Sequence, residues 1–460
     1  MPLLSPLVDG EGSPGARRIA LALVLLATAA LVVAPWRGHV DDIDAQIYQV
    51  VARNMVADHA WLDLRYLPDV WPRFREHLPF SFWPATATIR LFGERAVNWL
   101  YALTTIAMVW RTASIATRVY GGWAGVVAAL VLGSCESIWH YGGRFLMEPP
   151  LLFFATAAAG AALLPRPRWG SAALHGAIAV LIKGPFGLLP LGCVVLARAS
   201  AESSLRVLIG GSFVLFAATV PAAVFLLWDL RWGGGTWWSG YFQDRILGWA
   251  GGASAAGGIA YRWLPLSVIA RRFWPGLPLA SYGIWRARND RQLRPLAAAC
   301  VLGAILLCFP ERKWGNHAYV LFPLLAILAG AAVKPHLDRV LTPARQRRVA
   351  GLLAGVTAAA WVLSLAGFGR LVLQPPCLAS AEFARELGGL PPGTPVTVVA
   401  PGVDWLLIGP LAAERRLVPV PSSALPAEEG ASVAIVRDGV PVHPPWAEKA
   451  RARGWSLVRR

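Results

Sequence analysis

Apolar residues in this chain gather into runs of about 17–20, with arginine-rich links between them. A helix of that length crosses the hydrocarbon of a bilayer, where each backbone polar group must be satisfied internally. The pattern predicts eleven spans, near 19–35, 95–111, 121–138, 149–164, 170–183, 185–198, 207–228, 263–285, 295–310, 317–333 and 349–367. Several are short for a full crossing and fit only if tilted or buried among neighbours. Pro79 to Phe92 is amphipathic and Trp-flanked, so it reads either as an interfacial helix or as a twelfth span.

Composition agrees. Hydrophobic residues make up 56% and charged residues 15%, against about a quarter charged in soluble domains. Many of the 22 Trp stand at the ends of apolar runs, as in an aromatic belt. The net charge of +17 would suggest nucleic acid in a soluble chain. Here the basic residues flank apolar runs, so topology and anionic membrane lipids account for them and nucleic acid is not an expected partner. Cys135, Cys193, Cys300, Cys308 and Cys377 form no CxxC, so neither a disulfide framework nor a zinc site is indicated. Arg17-Arg18 precede an apolar stretch with no small-residue cleavage site after it, which reads as an uncleaved first helix.

With the N-terminus inside, the links 1–18, 111–120, 165–169, 198–206, 286–294 and 334–348 carry 17 basic residues in short segments. Long segments are discounted by the charge rule. Segments 36–94, 139–148, 229–262, 311–316 and 368–460 then face outward. From Gln374 onward the chain becomes Pro-rich and then alternates. Segments 394–400 and 431–436 read as strands, and 380–390 and 446–453 as helices. The expected organisation is a membrane domain over 1–370, with 36–94 as its first outer loop, and a small α/β domain over 371–460. No long repeat is evident.

Polar outcrops interrupt this pattern. Asp41, Asp42 and Asp44 precede a helical stretch over 45–56, where Asp44 reads either as a plain helix cap or as a group in a functional cavity. Arg73, Arg75, Glu76 and His77 could hold a phosphate and handle a proton, or could simply form a salt-bridged loop. Arg144, Glu148, Lys183, Glu311, Arg312, Lys313, His317 and Tyr319 fall at expected outer ends. Each reads alone as a snorkelling or topology residue. Together they suit an anionic headgroup. Lys183 is the sharpest case, because it interrupts an apolar stretch just before a Gly-Pro break.

These segments, in this order over roughly 15–335, resemble the GT-C superfamily of membrane glycosyltransferases. The likeness is to the branch of aminoarabinose-lipid A transferases and protein O-mannosyltransferase-like enzymes. Asp44-Ala-Gln-Ile-Tyr48 through Arg53-Asn-Met55 is similar to a D-E-x-R-Y-x-x-x-A-R-x-M segment, and Glu76-His77-Leu-Pro79 through Trp83 to E-[KH]-P-P-L-x-x-W. Glu148-Pro-Pro-Leu-Leu-Phe-Phe154 resembles a second acidic motif, Leu181-Ile-Lys183-Gly-Pro185 a T-K-G-P motif, and Arg312-Lys313 through His317, Tyr319 and Pro323 an S-R-x-K-L-P-H-Y motif. Ala45, Ile47, His77, Leu78, Gly315 and Asn316 depart from the pattern, leaving donor and acceptor identity open.

The resemblance implies an all-α polytopic GT-C fold and a polyprenyl-phosphate sugar donor. It also implies a lipid, glycan or protein acceptor at the outer face of a bacterial inner membrane. It casts Asp44 and Glu148 as catalytic carboxylates and His77, Lys183, Arg312, Lys313 and His317 as the donor-phosphate site, with Tyr48, Glu76, Arg144 and Tyr319 in support. No cofactor is certain, and a divalent metal at Asp44 stays open. Two other readings are a lipid-binding homologue without catalysis and a secondary transporter, though the latter would carry paired repeats.

Overall fold

A computed structural model describes residues 14–33, 43–66, 73–247, 262–310 and 315–365. Beyond these it describes segments 395–399, 416–420, 433–437, 447–452 and 455–459 with a few isolated positions. The first part is a helical bundle. It runs α1 (Pro14–Val33), α2 (Ile43–Ala57), α3 (Trp83–Phe92), α4 (Arg95–Tyr120), α5 (Gly122–Gly133), α6 (Glu136–Gly142), α7 (Glu148–Leu163) and α8 (Trp169–Lys183). It continues with α9 (Leu189–Glu202), α10 (Leu205–Trp232), α11 (Leu264–Arg272), α12 (Leu277–Arg286), α13 (Arg294–Leu306), α14 (Phe322–Val340) and α15 (Pro343–Leu365).

Each expected span is mainly helical over its described residues, but two are broken. The span over 121–138 divides into α5 and α6, which meet at 68°. Cys135 is extended there, and Glu136 opens a new helix with its carboxylate in the first turn. The span over 263–285 divides into α11 and α12 at a turn closed by Gly276 N–H to the Phe273 carbonyl at 3.0 Å. Among the described residues, Gly15–Val33, Trp169–Glu202, Leu205–Trp232 and Gly315–Val340 are long and apolar enough to cross a membrane, and α5–α6 adds a bent fifth. Shorter α7 is almost wholly buried among its neighbours, so it does not face lipid along its length. Pro79–Phe92 is a 3-10 turn followed by the ten residues of α3. At about 15 Å, α3 spans half the hydrocarbon, which decides for an interfacial helix.

The apolar stretch 169–202 folds back at Lys183. Gly184 has φ +65°, and Gly187 approaches so closely that a Cβ there would lie 2.7 Å from the Ala179 carbonyl. Eight residues along a straight helix would separate those positions by about 12 Å. The stretch that is long enough for one crossing is therefore divided into two shorter helices that meet at the Lys183 end, as the Gly-Pro break implied. Gly330 of α14 permits a similar close approach to the Ala124 carbonyl of α5.

The strands form one mixed sheet, ordered β2 (Arg416–Val420), β1 (Pro395–Val399), β3 (Val433–Arg437), β5 (Trp455–Arg459), β4 (Ala447–Ala452). β1 pairs parallel with β2 and β3, and β5 antiparallel with β3 and β4. Both expected strands are present, as β1 and β3. The expected helix over 446–453 is instead β4, an edge strand with an irregularity between Glu448 and Ala450. Pairing along β5 overrides the helix propensity of Ala-Glu-Lys-Ala-Arg-Ala. The expected helix over 380–390 lies outside the described residues, apart from position 389.

Candidate active site

One end of the bundle holds a cavity of about 570 Å³. Asp44 reaches it from the start of α2, Glu136 and Tyr141 from α6, and Glu148 from the start of α7. Arg271 and Arg272 reach it from the end of α11, and Asn316 and Tyr319 from the 3-10 turn Gly315–Leu321. Three outer segments read from the sequence, 36–94, 139–148 and 311–316, thus meet at this cavity.

Glu148 opens α7 ahead of two prolines, which suit a first helical turn. Its buried carboxylate receives Lys183 Nζ at 2.5 Å and Asn316 Nδ2 at 2.7 Å, both on Oε1. Lys183 is the last residue of α8, where the helix dipole favours a cation. The apolar stretch tolerates it because a carboxylate on the preceding helix, α7, neutralises it. Asn316 Oδ1 is buried and meets no donor among the described residues.

Behind this pair lie two imidazoles that do not line the cavity. His77 Nε2 is 2.7 Å from the Tyr48 hydroxyl, and both side chains are buried. Tyr48 also packs edge-on against Phe74, Phe82 and Phe145. Burial, then the positive charges of Lys183 and His317, push the His77 pKa down to about 3. His77 is therefore neutral at physiological pH and offers hydrogen bonding rather than charge. His317 packs its ring on Phe186 at 4.6 Å, beside the Lys183 turn.

Asp44 is exposed, one residue inside α2 rather than at its cap, and its position in the first turn still suits the dipole. Arg245 lies in its field. Arg245 comes from the π-helix Trp238–Leu247 and pairs with Glu76. Burial lowers its pKa, while Tyr48 and Asp44 counter that shift. Arg75 clamps the same two segments together. It stacks 4.2 Å over the Trp237 ring and pairs with Asp63 at 2.8 Å. Arg144 is buried with its guanidinium over Tyr141, whose ring lies 5.7 Å from that of Tyr319. Arg312 and Lys313 lie outside the described residues.

Sequence reasoning missed Glu136, Tyr141, Arg245, Arg271 and Arg272. Glu136 pairs with Arg272 across the cavity wall. The available signal was an ionisable residue inside an expected span, at 136 and at 271–272, since such residues mark cavities by default. Among the described residues no cluster of three His, Cys, Asp or Glu is placed to hold a metal ion. Glu136 and Glu148 are each committed to a cation, so the described donor set does not fit a divalent metal at Asp44.

No family model matches the chain, and no curated protein matches its sequence. Solved structures do match. ArnT from Cupriavidus metallidurans, bound to undecaprenyl phosphate, superposes with a TM-score of 0.70 at 16% identity, over 95% of this chain and 97% of that one. Its apo form gives 0.67 at the same identity and coverage. The archaeal oligosaccharyltransferase AglB from Archaeoglobus fulgidus, in complex with an inhibitory peptide and a dolichol-phosphate, gives 0.57 at 14% identity, over 92% of this chain and 70% of that one. At these identities the likeness is one of fold. The chain has the GT-C fold that its motif segments implied, as a multi-pass helical membrane protein with a small C-terminal sheet.

Proposed function

We propose that the protein is an integral-membrane glycosyltransferase that takes a sugar from a polyprenyl-phosphate donor. The observation that carries this reading is the convergence of Asp44, Glu148 and Asn316 at one cavity from three separate segments, with Lys183 of a fourth bonded to the Glu148 carboxylate. The fold shared with ArnT and AglB supports it, since those proteins were solved with undecaprenyl phosphate and a dolichol-phosphate.

The chemistry follows from the groups. The acceptor hydroxyl attacks the anomeric carbon, and Asp44, the exposed carboxylate of the cavity, takes its proton. The bond from that carbon to the phosphate oxygen breaks, and the phosphate leaves with the electron pair. Lys183 faces the charge that develops. Its ammonium has three N–H donors and Glu148 takes one, leaving others for phosphate. Arg271 and Arg272, which line the cavity, add positive potential. Arg312, Lys313 and His317 complete the phosphate site in this reading, while Tyr48, His77, Glu76 and Arg144 hold the first-loop and α6–α7 frames. Glu148 orients Lys183. The acceptor is a lipid, glycan or protein hydroxyl. The site faces away from the cytoplasm, as does the 371–460 region, in keeping with the basic links at the other end.

The test is incubation of purified full-length protein with radiolabelled polyprenyl-phosphate sugar. Transfer or hydrolysis by the wild type, lost in Asp44→Asn, supports the reading. Binding without turnover would leave a lipid-binding protein, and full transfer by Asp44→Asn would remove Asp44 from the mechanism.

A further inference from the structure

A second cavity, of about 470 Å³, opens at the end of the bundle opposite Asp44. It is lined by Tyr282, Trp285 and Arg286 of α12 and by Asn289, Asp290 and Arg291 of the turn into α13. The opposite placement follows from chain direction. α12 leads away from α11, whose last residues line the first cavity, and Tyr120 at the far end of α4 bonds the Gln292 carbonyl at 3.4 Å.

The geometry points to a binding site for the phosphate headgroup of an anionic phospholipid from the leaflet at that end. Four arginines and one aspartate occupy 286–294. Asp290 is already engaged, accepting from Arg286 at 3.1 Å and from the Gln292 backbone N–H at 3.0 Å. Arg286 is fixed by donating to the Ala332 carbonyl of α14 at 2.6 Å. Arg294 ties the turn together through the Ala287 and Arg288 carbonyls. Arg291 is exposed on the cavity rim with no ion-pair partner among the described residues. The rigid turn therefore presents a cation that its own acid does not neutralise.

The aromatic wall fits the same ligand. Tyr282 and Trp285 stack at 5.8 Å, and the Tyr282 hydroxyl meets His336 Nε2 at 2.7 Å. Trp285 is 57% exposed at the end of α12, and an exposed indole suits the headgroup and glycerol depth of a bilayer. A lipid whose acyl chains run along α12 would place its phosphate beside Arg291. Basic pockets between helices take such headgroups by this combination of charge and interfacial depth.

Native mass spectrometry of the purified full chain, titrated with phosphatidylglycerol or with phosphatidylcholine of the same acyl chains, tests the site. Arg291→Gln is expected to weaken retention of phosphatidylglycerol roughly fivefold, as removal of one interfacial cation does. Trp285→Ala should weaken it further in combination, with phosphatidylcholine adducts unchanged. Arg206→Gln, at an exposed arginine at the same end but outside the cavity, should have little effect. Equal losses for Arg206→Gln and Arg291→Gln would reduce the site to diffuse charge and overturn it. Displacement of phosphatidylglycerol by millimolar inorganic phosphate would show a site for the free ion and would also overturn the lipid assignment.

Discussion

The two ends of the bundle use cations in opposite ways. At the end away from the Asp44 cavity, arginines satisfy helix termini. Arg198 donates to the carbonyls of Ala162, Leu164 and Pro165 where α7 ends, and Arg345 to Val340 where α14 ends. Those carbonyls have no intrahelical partner, so the arginines complete the backbone ledger and complement the dipole. At the cavity end, cations meet carboxylates from other segments: Lys183 with Glu148 and Arg272 with Glu136 across helices, and Arg245 with Glu76 of the first outer loop. A helix cap is local and permanent. A cross-helix ion pair can exchange one anion for another, and a substrate phosphate is such an anion.

This contrast sets the expected effects in order. Asp44→Asn should lower transfer by about 10²–10⁴-fold, as loss of a general base does, while the thermal midpoint in detergent stays close to wild type because Asp44 is exposed. A midpoint that collapses with activity would make Asp44 structural. Lys183→Met should abolish transfer and also destabilise the fold by about 3–5 kcal/mol, because Glu148 is left as an unpaired buried charge. Adding Glu148→Leu should restore much of that stability without activity. If the double variant regained transfer, the ion pair would be a fold element and Lys183 would be removed from the phosphate site.

At the other end, Arg198→Leu should cost about 2 kcal/mol of stability with turnover per folded molecule unchanged. A drop in turnover would mean the ends are coupled. A smaller effect concerns pH. The folded pKa of His77 lies below the ordinary value, so the folded state resists its protonation. Its contribution is complete above about pH 6.5 and falls as pH drops toward about 3, by up to roughly tenfold in the folding equilibrium per pH unit. His77→Phe should flatten the stability profile between pH 6.5 and 5, and an unchanged slope would show that His77 titrates normally.

Legibility in the sequence followed the range of the physics. Spans were readable because length and apolar character are local properties that the bilayer tests directly. The break at Lys183-Gly184-Pro185 was readable because backbone chemistry announces it. The bend at Cys135 was not, since no proline stands at that break, whereas the turn at Phe273–Gly276 carries Pro275-Gly276, a breaker inside an expected span. β4 was misread for a related reason, because an edge strand is decided by its partner and Ala447–Ala452 alone favours a helix. In the site, Glu148 and Lys183 stood out as polar residues at expected span ends, and Asp44 and His77 as members of polar clusters in the first outer segment. Glu136 and Arg272 were passed over as parts of expected spans, although a charge inside a span was itself the clue.

By itself the sequence determined that this chain lives in a membrane as a helical bundle, and that its polar outcrops alternate between two ends. It did so because burying a helix in hydrocarbon depends only on the residues of that helix. Only the tertiary structure decided which outcrops meet. That Lys183 answers Glu148, that Asn316 shares the same oxygen, and that His77 sits neutral behind them are facts about separations across helices. Electrostatic pairing falls off over a few ångströms, and sequence spacing does not encode those distances.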